Sequence, residues 1–224
     1  MRSRALSTLT GFVMAVLCST ILSSAALAHR AALPVVRCPT TFAAGTPPAT
    51  PSHLTVYSAT TTTGLAAYTN TWDYLLAPAG MRCAGFVAGD GGSSVKVWPP
   101  SSVPPSHYSR GAGLTLFIEP ACASCRAEEA CPFFAAFARS LGFPCGTGIP
   151  LEEQVYRLRS NITLFEDAPR VRGSGWPSGG RDPANGLVGI TKGYPEVFRS
   201  TCTLPSREHP VCTTSLNYLI KRWG

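Results

Sequence analysis

Charge is scarce in this sequence. Only 14% of its 224 residues are Asp, Glu, Lys or Arg, the acids number 12, and lysine occurs only as Lys96, Lys192 and Lys221. The arginines are scattered, the tightest groups being Arg157/Arg159 and Arg170/Arg172. The dense basic stripe of a nucleic-acid binder is therefore missing, and these pairs read as solvated surface. Long apolar runs are missing as well. Beyond residue 28 no stretch reaches 18 uninterrupted apolar residues, which argues against a membrane-spanning helix there. Phosphate loops, dinucleotide fingerprints and zincin motifs are absent, so nucleotide-dependent and zinc-protease chemistry have no foothold.

What is present begins with a leader. Arg2 and Arg4 precede an apolar stretch from Leu9 to Leu22, and Ala26-Leu27-Ala28 places small residues at −3 and −1. Residues 1–28 thus read as a secretory signal peptide cleaved after Ala28. Ala15-Val16-Leu17 before Cys18 does not fit a lipoprotein signal, so the protein is expected to be released. Removing 28 of the 224 residues leaves 196, with 17 basic and 12 acidic side chains and a net charge of +5. That balance suits an anionic cell-wall or surface component as partner.

Nine cysteines occur, and Cys18 goes with the leader. Eight remain: Cys38, Cys83, Cys122, Cys125, Cys131, Cys145, Cys202 and Cys212. An even set in an exported chain reads as four structural disulfides. Connectivity is open on sequence alone. The pairing favoured is Cys202–Cys212, around a short proline-containing loop, and Cys38–Cys83, tying down the start of the chain. The four central cysteines then pair among themselves.

Residues 29–52 carry five prolines and read as an extended lead-in with little periodic structure, followed by one globular domain over 53–224. Leu54–Tyr57 has strand composition, and Trp72–Leu76 suits a short helical turn or a strand. Cys83–Val87 and Val95–Trp98 flank Gly89-Asp90-Gly91-Gly92, a hairpin signal. Leu114–Ile118 reads as a strand buried on both faces. Residues 126–141 predict one central helix, with Pro132 awkward inside it and Phe133, Phe134 and Phe137 as a core-facing stripe. Val155–Phe165 has strand character, 166–186 reads as one long loop, Leu187–Thr191 as a strand and Ser215–Trp223 as a closing helix. The fold class expected is α+β: a single strand-rich, disulfide-stapled domain with one central helix and a short C-terminal helix.

Four constellations could carry chemistry. Cys122-Ala123-Ser124-Cys125 lies between a strand and a helix, where a redox site would place its first thiol at a helix N-terminus. Its nearness to Cys131 and Cys145 favours structural bridges. His29, if it becomes the N-terminus, offers two nitrogen donors to copper, with His53, His107 or His209 as a second histidine. Secreted lytic polysaccharide monooxygenases are similar in that respect, but His29-Arg30-Ala31-Ala32-Leu33 departs from their pattern. A hydrolase triad could be drawn from Ser178, His107 or His209, and Asp90 or Asp182, yet no Gly-x-Ser-x-Gly elbow supports it. Adjacent acids at Glu128/Glu129, Glu152/Glu153 and Glu166/Asp167 read as solvated pairs, and Asn161-Ile162-Thr163 is a glycosylation sequon. No residue is assigned a catalytic, metal or cofactor role.

Several segments carry a resemblance. They are 75–83 (LLAPAGMRC), Gly89-Asp90-Gly91, Cys122-Ala123-Ser124-Cys125 with Cys131-Pro132-Phe133-Phe134, and Phe165-Glu166-Asp167 leading to Ser178-Gly179-Gly180 and Pro183-Ala184-Asn185-Gly186. Thr201-Cys202-Thr203-Leu204-Pro205 and Cys212-Thr213 complete the set. Together they resemble a family of secreted, eight-cysteine proteins of high-GC Gram-positive (actinobacterial) bacteria. The resemblance implies a shared fold and disulfide framework and carries no assigned activity. The function expected is a non-catalytic extracellular or cell-envelope binding module. The alternative is a secreted enzyme, either a thiol oxidoreductase at Cys122/Cys125 or a hydrolase.

Overall fold

The computed structural model describes residues 29–43, 45–58, 62–105, 111–120, 122–145, 152–174, 180–191 and 195–223. Residues 1–28, expected to be a signal peptide, and the candidate residues His107 and Ser178 lie outside them. Twelve strands, three α-helices and a short 3-10 helix (Ser206–Glu208) make up the regular structure of the described residues. The strands are β1 (His29–Arg37), β2 (Thr40–Phe42), β3 (His53–Ser58), β4 (Leu65–Thr69), β5 (Tyr74–Pro78), β6 (Arg82–Val87), β7 (Ser93–Trp98), β8 (Leu114–Glu119), β9 (Gln154–Arg159), β10 (Ile162–Asp167), β11 (Ala184–Ile190) and β12 (Val197–Cys202). The helices are α1 (Ala123–Ala130), α2 (Ala135–Ser140) and α3 (His209–Trp223).

A four-stranded sheet has the order β3-β1-β4-β5, and an eight-stranded sheet the order β2-β6-β7-β8-β12-β11-β10-β9. The larger sheet is antiparallel except for β2 against β6. After β8 the chain leaves through α1 and α2 to the far edge, then returns strand by strand until β12 lies beside β8. Strand periodicity separates the two faces of this sheet. Leu114, Leu116 and Ile118 on β8, Val95 and Val97 on β7 and Phe198 on β12 face Ala66, Tyr68, Leu75 and Ala77 of the small sheet. Leu216 and Leu219 of α3 extend that same layer. On the opposite face Phe133 and Phe134 pack against Phe165, Val188 and Val197. The layers are therefore small sheet with α3, large sheet, then α1 and α2.

Two glycines in β11 let the strands come together. A side chain at Gly186 would collide with the Phe165 ring, and one at Gly189 with the Phe198 ring. Each aromatic lies across the β11 backbone, one on each face of the sheet. Asn70, fully buried, joins the two sheets. Its carbonyl accepts the N–H groups of Trp72 and Asp73, and its amide donates to the carbonyls of Phe86 and Ser94.

Several expectations need correction, among them the loop over 166–186, whose ends belong to β10 and β11. The central helix is two helices, because Pro132 has no N–H for a continuous ladder and the chain breaks over Cys131-Pro132-Phe133-Phe134. With α3 this makes three helices rather than two. The lead-in over 29–52 is extended but not without regular structure, since β1 belongs to the small sheet and β2 edges the large one. Its prolines are tolerated there: Pro34 lies on β1 and is exposed. The C-terminal helix starts at His209, six residues before the expected Ser215, with Pro210 in the first turn where no N–H is required.

The eight cysteines stand in four disulfides, Cys38–Cys83, Cys122–Cys125, Cys131–Cys145 and Cys202–Cys212. Cys38–Cys83 and Cys202–Cys212 are the pairs favoured from sequence, and the four central cysteines pair among themselves as expected, in an arrangement the sequence left open. Cys38–Cys83 fastens the end of β1 to β6, and hence one sheet to the other. Cys202–Cys212 fastens β12 to α3. No described helix is long and apolar enough to cross a membrane.

Candidate binding groove and buried acid cluster

The side chains of α3 divide into two faces. Cys212, Ser215, Leu216 and Leu219 are buried, and the basic Lys221 and Arg222 occupy the last turn, where the helix dipole favours positive charge. His209, Thr213, Asn217 and Lys221 recur every fourth residue and form one stripe along the other side. Two depressions run along this side. One, about 330 Å³, lies between α3 and the strands β9 to β11, lined by Tyr156, Leu164, Glu166, Asn185, His209 and Asn217 among others. The other, about 300 Å³, is lined by Tyr57 and Ser58 of β3, Arg159 of β9, Tyr218 and Lys221. Asn217 and Ile220 line both, so the two adjoin along α3.

The groove is thus walled by the edge strand of each sheet, β9 and β3, with α3 as its floor. Both edges expose aromatic surface, Tyr156 at 51% and Tyr57 at 59%. One end is basic. Lys221 Nζ donates to the Tyr57 carbonyl at 2.9 Å, and neither it nor Arg159 has a carboxylate partner among the described residues. At the other end Nε2 of His209 is buried and makes no hydrogen bond among the described residues. Burial pushes the Tyr218 hydroxyl above its ordinary pKa, against the lowering effect of Arg222.

A second cluster lies on the opposite face of the large sheet. Each adjacent acid pair turns one member inward: Glu129, Glu153 and Asp167 are at least partly buried, whereas Glu128, Glu152 and Glu166 are exposed. The expectation of solvated pairs fails for that inner member. Glu129 pairs with Arg199 at 3.1 Å, and Arg199 also donates to the Ser174 carbonyl and lies over the Phe165 ring. Ser174 donates to Glu153 twice, from its N–H at 2.7 Å and its hydroxyl at 2.9 Å. Glu153 hydrogen-bonds the fully buried Asp167. Burial, with the Asp167 carboxyl beside it, pushes Glu153 up to about 7. With that value Glu153 keeps its proton through the acid range and gives it up around neutral pH. This cluster latches residues 168–174 onto the sheet. Both Glu153 oxygens are taken by Ser174.

The other sequence candidates disperse. His29 lies opposite Ser58 and His53 opposite Pro34 at the far end of the same strand pair, roughly 17 Å away at 3.4 Å per residue. His53 bonds Ser52, and His209 sits in the groove at the start of α3. No group of three or more His, Cys, Asp or Glu able to hold a metal occurs among the described residues. Asp90 accepts from the Gly92 N–H within the β6–β7 turn. The Asn161 amide donates to the Ile190 carbonyl at 2.8 Å and Thr163 is fully buried, so these sequon residues hold the β9–β10 turn. Arg157 donates to the Phe133 carbonyl and stacks on Phe134, whereas Arg159 opens on the groove.

Compared with known proteins, the chain matches no family model, no curated protein and no solved structure. Sequence reasoning missed the groove because Tyr57, Asn185, Asn217 and Lys221 meet only through the tertiary fold. The fourfold spacing of the α3 stripe was the available signal.

Proposed function

We propose that the protein is an exported binding module, without catalysis of its own, that holds an anionic cell-wall or surface polymer in the groove along α3. The observation that carries this reading is the pair of adjoining depressions along α3, which share Asn217 and Ile220. A helix of 15 residues is about 22 Å long, so the groove suits an extended chain rather than a compact metabolite. Exposed tyrosines at the rim offer flat apolar surface, and Asn185 and Asn217 offer amide donors and acceptors. Arg159 and Lys221 supply the charge complementarity. The leader pattern, the four disulfides and the resemblance to secreted actinobacterial proteins support export.

The double variant Arg159→Ala/Lys221→Ala tests the groove. Titration calorimetry with a soluble anionic wall polysaccharide is expected to show affinity reduced roughly three- to tenfold, as befits two exposed charges. Unchanged affinity, with the fold intact, would contradict the assignment.

A further inference from the structure

We propose that the Cys122–Cys125 disulfide is redox-active and exchanges with external thiols while the other three bridges stay closed. This site is independent of the α3 groove and lies on the opposite face of the large sheet. Cys38, Cys202 and Cys212 are buried at 2% exposure or less, whereas Cys122 and Cys125 are both partly exposed; Cys131 and Cys145 are partly exposed too, and that bridge differs from Cys122–Cys125 in its longer span. The bridge spans a sequence separation of three within the first turn of α1, which backbone hydrogen bonds already close. Its opening releases no long loop. Cys38–Cys83, Cys131–Cys145 and Cys202–Cys212 instead join segments 45, 14 and 10 residues apart. The helix behind the bridge is held independently, by Ala127 and Ala130 in the core and by the Arg126 bond to the Pro195 carbonyl.

The surroundings favour one thiolate. Cys122 is the N-cap of α1, its sulfur accepts the Cys125 N–H at 3.2 Å, and the Ser124 hydroxyl lies 3.3 Å from it. Donors aimed at that sulfur and the positive end of the helix stabilise Cys122 as an anion, and hence as a leaving group. A thiolate of a donor dithiol attacks Sγ of Cys125; the new S–S bond forms as the Cys122–Cys125 bond breaks and Cys122 leaves as thiolate. The donor's second thiolate then attacks the donor sulfur of this mixed disulfide. The donor departs as a disulfide and Cys125 as a thiolate that takes up a proton. Two electrons pass from donor to protein; of the two protons the donor gives to solvent on forming its thiolates, one is taken up by Cys125 and the other stays in solvent with Cys122 as the thiolate.

The test is equilibration of the native protein in buffers of reduced and oxidised glutathione, followed by alkylation and peptide mapping. Two thiols, mapped to Cys122 and Cys125, are expected at ratios where the other six cysteines remain blocked and the circular dichroism is unchanged. In Cys125→Ser the remaining Cys122 thiol is expected to alkylate with a midpoint below the ordinary thiol value of about 8.5, and Ser124→Ala in that background should move the midpoint upward. First thiols at any other bridge, loss of structure with the first two thiols, or a Cys122 midpoint at or above the ordinary value would each overturn the proposal.

Discussion

Glu153 shows how much a single side chain can depend on its neighbours. In the folded protein its pKa stands near 7, against 4.5 for the exposed group. The folded state therefore keeps a proton that the unfolded chain gives up between those values. Stability from this group is complete below about pH 4.5 and is lost as pH rises to about 7. Glu153 is partly exposed and solvent screens it, so the change is on the order of 1–2 kcal/mol rather than the full conversion of the shift. Asp73 and Glu196 are also raised by burial and add slope of the same sign. Urea unfolding of wild type and Glu153→Gln at several pH values isolates the one group: the variant should be less pH-dependent between 4.5 and 7. Equal slopes would show that Glu153 is not protonated in the folded state. At this scale the sequence was partly legible. Adjacent acids stand out at once, but which member turns inward is set by strand phase for Asp167, by helix phase for Glu129 and by the Ser174 contact for Glu153, and their convergence with Arg199 follows from the return of β12 to β8.

Elements were legible where local chemistry is strong. The β6–β7 hairpin follows from its glycine-rich turn, and the buried β8 from its apolar run. The α1–α2 break follows from Pro132, which outweighs the helical spacing of the phenylalanines around it. β12 (VFRSTC) carried no such signal, since Arg, Ser and Thr interrupt its apolar residues; tertiary contact buries Ser200 and Thr201. β1 and β2 were hidden by proline, which edge and partly solvated strands accept. The disulfides tie these elements with unequal effect. On chain-entropy grounds, loss of Cys38–Cys83, which spans 45 residues, costs about 4 kcal/mol, and loss of Cys202–Cys212, spanning 10, about 3 kcal/mol. Denaturant midpoints of Cys38→Ala/Cys83→Ala and Cys202→Ala/Cys212→Ala should follow that order. The reverse order would mean that docking of α3, rather than the joining of the sheets, limits stability.

At the scale of the whole molecule, one helix serves two purposes. Its inner face completes the core between the sheets, and its outer stripe floors a groove between the two edge strands. Strand-rich class, the four disulfides and the closing helix could be inferred from composition and spacing. The groove could not, because its walls come from residues a hundred positions apart, Tyr57 and Tyr156, brought together by the stacking of one sheet on the other. The most direct test of the proposed binding role is co-sedimentation of residues 29–224 with purified cell walls, intact and chemically stripped of anionic polymer, across a range of salt. Retention on intact walls that falls with stripping and with rising salt is the predicted result. Equal retention on both preparations, or none on either, would contradict it.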